Sequence, residues 1–155
     1  MNTHILITGI PGTGKTTLGD YLRDKQSFEH VNLEIKNEIE LFSANPSVYI
    51  GNLLKKPKVV VTWGFLPYHQ AKFVRQFKEK GFTLFWFDGD RVSAHREFIK
   101  RGTVDEQYFF LQMWNITSSK VVEFISPIIV NPFDDGGNFI DLKDIAEHVL
   151  EKPEV

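Results

Sequence analysis

The sequence predicts a three-layer α/β/α fold in which helices cover a five-stranded parallel sheet. Short apolar runs alternate with longer amphipathic segments along the chain, and this alternation is typical of a parallel sheet with crossover helices. The runs Val59-Val60-Val61 and Ile128-Ile129-Val130 are β-branched and apolar throughout, as expected for strands covered on both faces. The chain has 155 residues, the size of one domain. We therefore expect residues 1–155 to form a single domain.

The predicted strands are the short apolar runs between turn and helix signals. Each run is four to six residues long, which is typical of strands in globular proteins. In chain order, the strands are predicted over residues 4–8, 29–33, 58–62, 82–87 and 127–130.

The predicted helices lie between and after these strands. The segment 67–80 begins with a proline that suits a first helical turn, places Phe73, Val74 and Phe77 on one face, and stops at Gly81. The run Thr103-Val104-Asp105-Glu106 is a capping-box signature and predicts the start of a further helix. The remaining helices are predicted over residues 14–25, 90–101 and 141–150.

Composition excludes several classes of function. The net charge of −2 and the lack of a basic run argue against broad electrostatic binding to nucleic acid or to an anionic membrane. The sequence contains no cysteine, which excludes disulfides, thiolate metal sites and cysteine nucleophiles. No apolar run approaches the roughly 18 residues of a membrane span, and the N-terminus lacks the basic region of a signal peptide. We expect a cytoplasmic protein.

Residues 9–17 read GIPGTGKTT and have the composition of a phosphate-binding loop. The pattern Gly9-x-x-x-x-Gly14-Lys15-Thr16 fits the Walker A motif, and it lies between a predicted strand and a predicted helix. Glycines let consecutive amides turn toward phosphate oxygens, and the helix N-terminus adds its dipole. Lys15 would contact the outer phosphates, and the Thr16 hydroxyl would bind magnesium.

The motif therefore predicts the binding of a nucleotide together with Mg²⁺. Thr17 is expected to contact the innermost phosphate or to cap the helix. The predicted nucleotide-binding residues of this loop are Gly9, Pro11, Gly12, Thr13, Gly14, Lys15, Thr16 and Thr17.

A small domain with a Gly-x-Pro-Gly-x-Gly-Lys-Thr loop resembles the adenylate, shikimate and gluconate kinase group of P-loop kinases. The base-reading Asn-Lys-x-Asp motif of GTPases has no counterpart after the fifth predicted strand, which continues as Asn131-Pro132-Phe133-Asp134-Asp135. The resemblance implies a P-loop NTPase fold and transfer of the γ-phosphoryl group of ATP to a small-molecule acceptor. It also implies a short acceptor-binding segment at about residues 34–57 and a short lid at about 96–106.

The same resemblance assigns roles to arginines near the predicted lid. By position, Arg96 resembles the arginine that stacks on adenine, and Arg101 resembles the one that reaches the transferred phosphoryl group. A guanidinium suits that role because it neutralises phosphoryl oxygens bidentately. Arg91 is an alternative for either role, and a solvated helix face is the alternative reading of these arginines. Asn131 and Pro132 fall where the family's adenine-edge loop lies.

Glu34 is the candidate catalytic residue on the acceptor side. It follows the second predicted strand, where shikimate-type kinases carry an acidic residue. A carboxylate there binds a substrate hydroxyl, takes its proton or holds a magnesium-bound water. An ordinary acidic residue in the first turn of a helix is the alternative interpretation.

The acceptor side departs from the nucleotide kinases in two respects. Thr62 and Trp63 occupy the place of a Walker B aspartate, a departure that gluconate-type kinases share. No arginine occurs between Arg23 and Arg75, although nucleoside monophosphate kinases bind their acceptor's phosphate with arginines. Trp63, Tyr68 and His69 are therefore candidates to line a pocket for a neutral or sugar-like substrate. The alternatives are a core position for Trp63 and a place on a helix surface for His69.

The sequence leaves three functions open. The first is an ATP-dependent phosphotransferase with ATP and a small-molecule acceptor as its partners, in which Lys15, Glu34 and Arg101 are catalytic. The second is an adenylate kinase-like nucleotide kinase or ATPase. The third is a regulatory nucleotide-binding module without catalysis, which the missing Walker B acid favours.

Overall fold

The computed structural model describes residues 2–102 and 105–151. Its centre is a five-stranded sheet of order β2-β3-β1-β4-β5 in which every adjacent pair is parallel. The strands are β1 (Thr3–Gly9), β2 (Glu29–Asn32), β3 (Lys58–Thr62), β4 (Thr83–Phe87) and β5 (Ile128–Val130). The predicted five-stranded parallel sheet is confirmed.

Helices cover both faces of this sheet. The core on one face includes Leu18, Leu22 and Val149, and the core on the other face is centred on Phe42 and Phe77, whose rings stack at 5.4 Å. None of the helices in the described residues has the length and apolar character needed to cross a membrane. The helices are α1 (Lys15–Gln26), α2 (Lys36–Ala44), α3 (Pro46–Leu54), α4 (Pro67–Glu79), α5 (Arg91–Arg101), α6 (Glu106–Ser119), α7 (Val121–Ile125) and α8 (Leu142–Leu150).

The helices α2, α3 and α7 are not predicted from the sequence. Phe42 is the only fully buried residue of α2. The sequence of this helix therefore lacks the buried apolar stripe by which a helix is predicted. The helix α3 does carry local signals, because the Asn45 side chain accepts the N–H of Val48 and a proline follows at the first helical position.

The start of α6 differs from the predicted capping box. The helix begins at Glu106, and the side chain of Asp105 caps it by accepting the N–H of Gln107 at 3.0 Å. Thr103 and Val104, which the capping-box prediction includes, lie outside the described residues.

The parallel register brings the carboxyl ends of the strands to one edge of the sheet. Thr62 at the end of β3 pairs with both Ile7 of β1 and Asn32 of β2. The segments that follow these three strands therefore begin side by side, and ligands bind at this edge in open α/β sheets. The Walker A loop, Glu34 and Gly64 all lie in these segments.

Candidate nucleotide and acceptor site

The loop between β1 and α1 has a backbone shape that requires glycine at two positions. Gly9 has φ of +134°, and a Cβ there would lie 2.2 Å from the Phe87 carbonyl oxygen. Gly12 has φ of +79°, and a Cβ there would lie 2.0 Å from the Ala94 carbonyl oxygen. The N-cap of α1 is Gly14, which has no side chain to cap the helix. The first amide groups of α1 are thus left for a ligand such as phosphate.

Lys15 is buried at the base of this loop. Its ammonium group donates to the carbonyl oxygens of Ile10 at 2.8 Å and Gly9 at 3.3 Å. Burial lowers the pKa of Lys15 from 10.5 to about 8, while nearby Glu34 raises it and nearby Arg101 lowers it further. Glu34 and Arg101 therefore both lie within electrostatic reach of Lys15.

The lowered pKa of Lys15 predicts that ATP affinity depends on pH. Phosphate binding favours the charged lysine, and the free protein loses that charge as the pH rises through about 8. Above that pH, binding requires the uptake of one proton, so the Kd should rise by up to about tenfold per pH unit. Calorimetric titration with a non-hydrolysable ATP analogue between about pH 7.5 and 9.5 measures this slope. Lys15→Met should bind more weakly and show a flat profile, and a flat profile for the unaltered protein would contradict the prediction.

Glu34 lies in the turn between β2 and α2. The Asn32 side chain accepts the N–H of Glu34 at 3.0 Å, and Glu34 Oε1 accepts the N–H of Gly64 at 2.8 Å. Because α2 begins only at Lys36, Glu34 is not a first-turn residue of the helix, and that alternative interpretation does not apply. The two hydrogen bonds hold the carboxylate of Glu34 at the ends of β2 and β3.

Gly64 offers a way to displace Glu34 without altering it. A Cβ on Gly64 would lie 2.5 Å from Glu34 Oε1 and 4.0 Å from Lys15 Cε. We expect Gly64→Ala to lower the turnover number about 100-fold, since an ångström of misplacement in a catalytic group has effects of this size. ATP affinity, measured by calorimetry, should change little. The control is Gly51→Ala, where an added Cβ meets no atom of the described residues within 4 Å. Unaltered turnover in Gly64→Ala would contradict the role of Glu34.

One cavity of about 910 Å³ joins these elements. Ligand pockets generally enclose about 300–1,000 Å³, so this cavity is large enough for a nucleotide together with a small acceptor. Glu34 and Arg101 contribute to its lining, as do all eight residues predicted for the Walker A loop, Gly9, Pro11, Gly12, Thr13, Gly14, Lys15, Thr16 and Thr17.

The arginines predicted near the lid occupy different places. Arg101, the last residue of α5, lines the cavity with its guanidinium 5.3 Å from the centre of the Phe98 ring. Arg96 instead donates to the Gly137 carbonyl oxygen at 2.6 Å, which ties α5 to the segment after β5. Arg91 faces the Asp88 carboxylate at 4.0 Å. Of the three, Arg101 is the one at the cavity.

Phe139 is a cavity residue that sequence reasoning missed. Its ring lies 3.5 Å from the position of a Cβ on Gly14, and it stacks on Phe133 with ring centres 4.8 Å apart. The side chain is 42% exposed and lines the cavity beside the Walker A loop. A turn at residues 134–138 brings Phe139 back to this place. The sequence DDGGN signals the turn but not the site at which the returning ring packs.

Thr62, in the place of a Walker B acid, is buried and hydrogen-bonded. Its hydroxyl lies 2.8 Å from His30 Nε2, and His30 Nδ1 lies 2.9 Å from a carboxylate oxygen of Asp20. No cluster of three or more metal-binding side chains occurs within residues 2–102 and 105–151. The Thr16 hydroxyl at the cavity nevertheless fits a magnesium ion, which takes few protein ligands and completes its shell with water and phosphate oxygens.

The acceptor side of the cavity contains two glutamines that were not predicted. Tyr68 and His69 are exposed, whereas Gln70 lines the cavity and accepts the N–H of Leu66 at 2.7 Å. Gln112 also lines it, is almost fully buried and donates to the Tyr108 hydroxyl at 2.8 Å. Both glutamines occupy positions in otherwise apolar helical stripes, which is a readable signal for a pocket-facing polar residue.

Comparison with known proteins adds to this geometry. No family model matches the chain. It is 26% identical over 106 residues to a shikimate kinase of Staphylococcus haemolyticus, an alignment that covers 57% of this chain and 59% of the relative. The chain thus matches somewhat more than half the length of that curated relative.

Solved structures with the same fold cover nearly the whole chain. A shikimate kinase from Bacteroides thetaiotaomicron has a TM-score of 0.62 at 16% identity, over 97% of this chain and 99% of that one. The predicted resemblance to P-loop small-molecule kinases is confirmed. A shikimate kinase from Acinetobacter baumannii in complex with shikimate has a TM-score of 0.63 at 17% identity, over 97% of this chain and 92% of that one. A gluconokinase from Sinorhizobium meliloti has a TM-score of 0.58 at 15% identity, over 96% of this chain and 95% of that one. The protein therefore has the three-layer fold of the P-loop kinases.

Proposed function

We propose that this protein transfers the γ-phosphoryl group of ATP to a hydroxyl group of a small molecule. The observation that carries the proposal is the meeting of Lys15, Glu34 and Arg101 at one cavity beside the Walker A loop. Two cations and one carboxylate in this arrangement suit phosphoryl transfer, which depends on positioning and charge stabilisation.

The nucleotide would bind along the loop, with its phosphates at the amides of α1 and at the ammonium of Lys15. Its base would lie against Phe139, in the segment that Arg96 holds through Gly137. Thr16 would hold a magnesium ion, which supplies additional positive charge at the phosphates when bound.

The acceptor hydroxyl would lie at Glu34. Its oxygen forms a bond to the γ-phosphorus, the bond from that phosphorus to the β–γ bridging oxygen breaks, and the hydroxyl proton passes to the Glu34 carboxylate. The products are ADP and a phosphate monoester. Arg101 would neutralise the phosphoryl oxygens during transfer. In this proposal, the chain is a single kinase-like domain. Its acceptor-binding segment comprises about residues 34–57, and its lid comprises about residues 96–106.

The names of the relatives support this class of reaction. Two of the similar structures are shikimate kinases, one of them with shikimate bound, and a third is a gluconokinase. A nucleoside monophosphate acceptor fits the cavity less well, because the cations among its described lining residues belong to the Walker A loop and to α5.

Acceptor-dependent release of ADP tests the proposal. MgATP is supplied with a panel of nucleoside monophosphates, sugar acids, shikimate, sugars and nucleosides, and with no acceptor as a blank. Release that depends on one acceptor and disappears in Lys15→Ala supports a kinase. Tight ATP binding with no acceptor dependence would overturn the proposal and favour the regulatory module, whereas equal release in the blank would indicate an ATPase.

A further inference from the structure

We infer that the acceptor is an uncharged alcohol that carries a flat, mainly apolar ring. The inference rests on the proposed kinase function and names the substrate class of the same cavity. Its basis is the distribution of charge and apolar surface over the cavity lining.

The positive charges of the cavity come from two elements, the Walker A loop and α5. Lys15 belongs to the Walker A loop, and Lys100 and Arg101 end α5. Apart from the Walker A loop and α5, the one charged side chain among the described lining residues is Glu34. A carboxylate or phosphate on the acceptor body would lose its hydration there without gaining an ionic partner. It would also be repelled by the negative charge of Glu34.

The rest of the acceptor side is apolar. We call this surface the apolar floor, formed by Leu33, Ile39, Trp63, Phe65, Trp86 and Ile116. Three of its rings adjoin one another, with centres 5.8 Å apart for Trp63 and Phe65 and 6.2 Å apart for Phe65 and Trp86. These aromatic side chains are almost fully buried, and each of them contributes to the cavity lining. A ring on the ligand gains most on such a surface, by apolar burial and by edge-to-face contact.

The polar groups beside the apolar floor are neutral hydrogen-bonding groups. Gln70 uses its carbonyl oxygen to accept the N–H of Leu66, which leaves its amide N–H groups as donors toward the cavity lining. Gln112 and Tyr108 form a hydrogen-bonded pair that also lines the cavity. Amide and hydroxyl groups recognise carbonyl and hydroxyl groups of an uncharged ligand without requiring a counter-charge. Together with Glu34 at the reacting hydroxyl, they select a neutral alcohol.

Matched ligand pairs that differ in one charge test this inference. The pairs are 4-(hydroxymethyl)benzoate with its methyl ester, and shikimate with its methyl ester. Binding is measured by tryptophan fluorescence in the presence of a non-hydrolysable ATP analogue, since Trp63 and Trp86 line the cavity. The measurement uses Trp114→Phe, because Trp114 is 70% exposed on α6 and contributes only background. ADP release is followed in parallel with the unaltered protein.

We expect each ester to bind at least about tenfold more tightly than its acid, since an unpaired charge at a desolvated site costs at least this much. Equal binding, tighter binding of the acids, or binding of neither member overturns the inference. Phosphorylation of the acids but not of the esters would keep the kinase function and overturn the acceptor class. Preferential binding of the esters with no phosphorylation of any ligand would keep the preference of the cavity for uncharged ligands and count against the kinase function.

A gain of charge provides the complementary test. Ile39→Arg places a guanidinium on the apolar floor and should shift the preference toward the acids by about tenfold, as expected when a charge gains a partner. The matched control is Ile35→Arg, because Ile35 is 53% exposed and lies at the start of α2. Equal shifts in the two variants would show that general electrostatics, and not the cavity, sets the preference, and would overturn the inference.

Discussion

Replacing Lys15 with alanine should reduce phosphoryl transfer about 1,000-fold or more. The Lys15 ammonium is the buried cation of the Walker A loop, held at 2.8 Å from the Ile10 carbonyl oxygen. A preorganised donor in a site with little water contributes about 10²- to 10³-fold in rate, and here the donor also carries a full charge. The measurement is kcat/KM for ADP release with the acceptor that the panel identifies, together with ATP affinity by calorimetry. Both transfer and affinity should fall.

The control for this variant is Lys25→Ala. Lys25 is an exposed lysine in the last turn of the same helix, so its loss tests the general effect of removing one positive charge from α1. Folding should survive Lys15→Ala, because the lowered pKa of Lys15 shows that burial disfavours its charged form. The urea midpoint at neutral pH should therefore not fall. Equal losses of transfer in the two variants would contradict the assigned role of Lys15.

Replacing Glu34 with glutamine should lower the turnover number by about 10²- to 10⁴-fold, the usual contribution of a general base. Glutamine keeps the size of the side chain and an oxygen that can accept the Gly64 N–H, so the local geometry is retained while the proton acceptor is removed. ATP affinity should stay the same or increase, because a negative charge near the phosphates is lost. Steady-state kinetics and calorimetry separate the two effects.

The matched control for Glu34→Gln is Glu40→Gln. Glu40 is an exposed acidic residue on α2, a few residues away along the chain. Its replacement should leave both the turnover number and ATP affinity unaltered. Turnover in Glu34→Gln close to that of the unaltered protein would show that no proton transfer to Glu34 takes place, and the acceptor chemistry would need another base.

The sheet could be predicted from the sequence because its strands are local and strongly patterned. Runs such as 59–61 and 128–130 are apolar in full, and each lies in a strand of the structure. The helix α2 escaped prediction because its one buried side chain, Phe42, packs on Phe77, which is distant in sequence. The helix α3 carries local cap signals that were not used. The short helix α7 directly follows α6 and has no separate apolar stripe.

The nucleotide side of the site was also accessible from sequence. The predicted loop residues lie within nine consecutive positions, so their spacing alone specifies the arrangement of amides, ammonium and hydroxyl. Glu34 and Arg101 were placed by resemblance, and both lie at the cavity. Arg96 lies against Gly137 instead, since its neighbour across space is a loop far along the chain.

Beyond Glu34 and Trp63, the cavity lining on the side of Glu34 was decided by the tertiary structure. Tyr68 and His69 are exposed, and Gln70 takes the place at the cavity because the orientation of α4 turns that face of the helix inward. Gln112 and Phe139 reach the cavity from segments far away along the chain.

The sequence by itself thus determined that the chain forms a parallel α/β sheet and that its first loop has the composition of a phosphate-binding loop. These features depend on neighbours along the chain, where spacing fixes geometry. Only the tertiary structure decided which further side chains line the cavity and how charge is distributed around it. Those residues come from separate elements, and the strand register and helix packing alone bring them together.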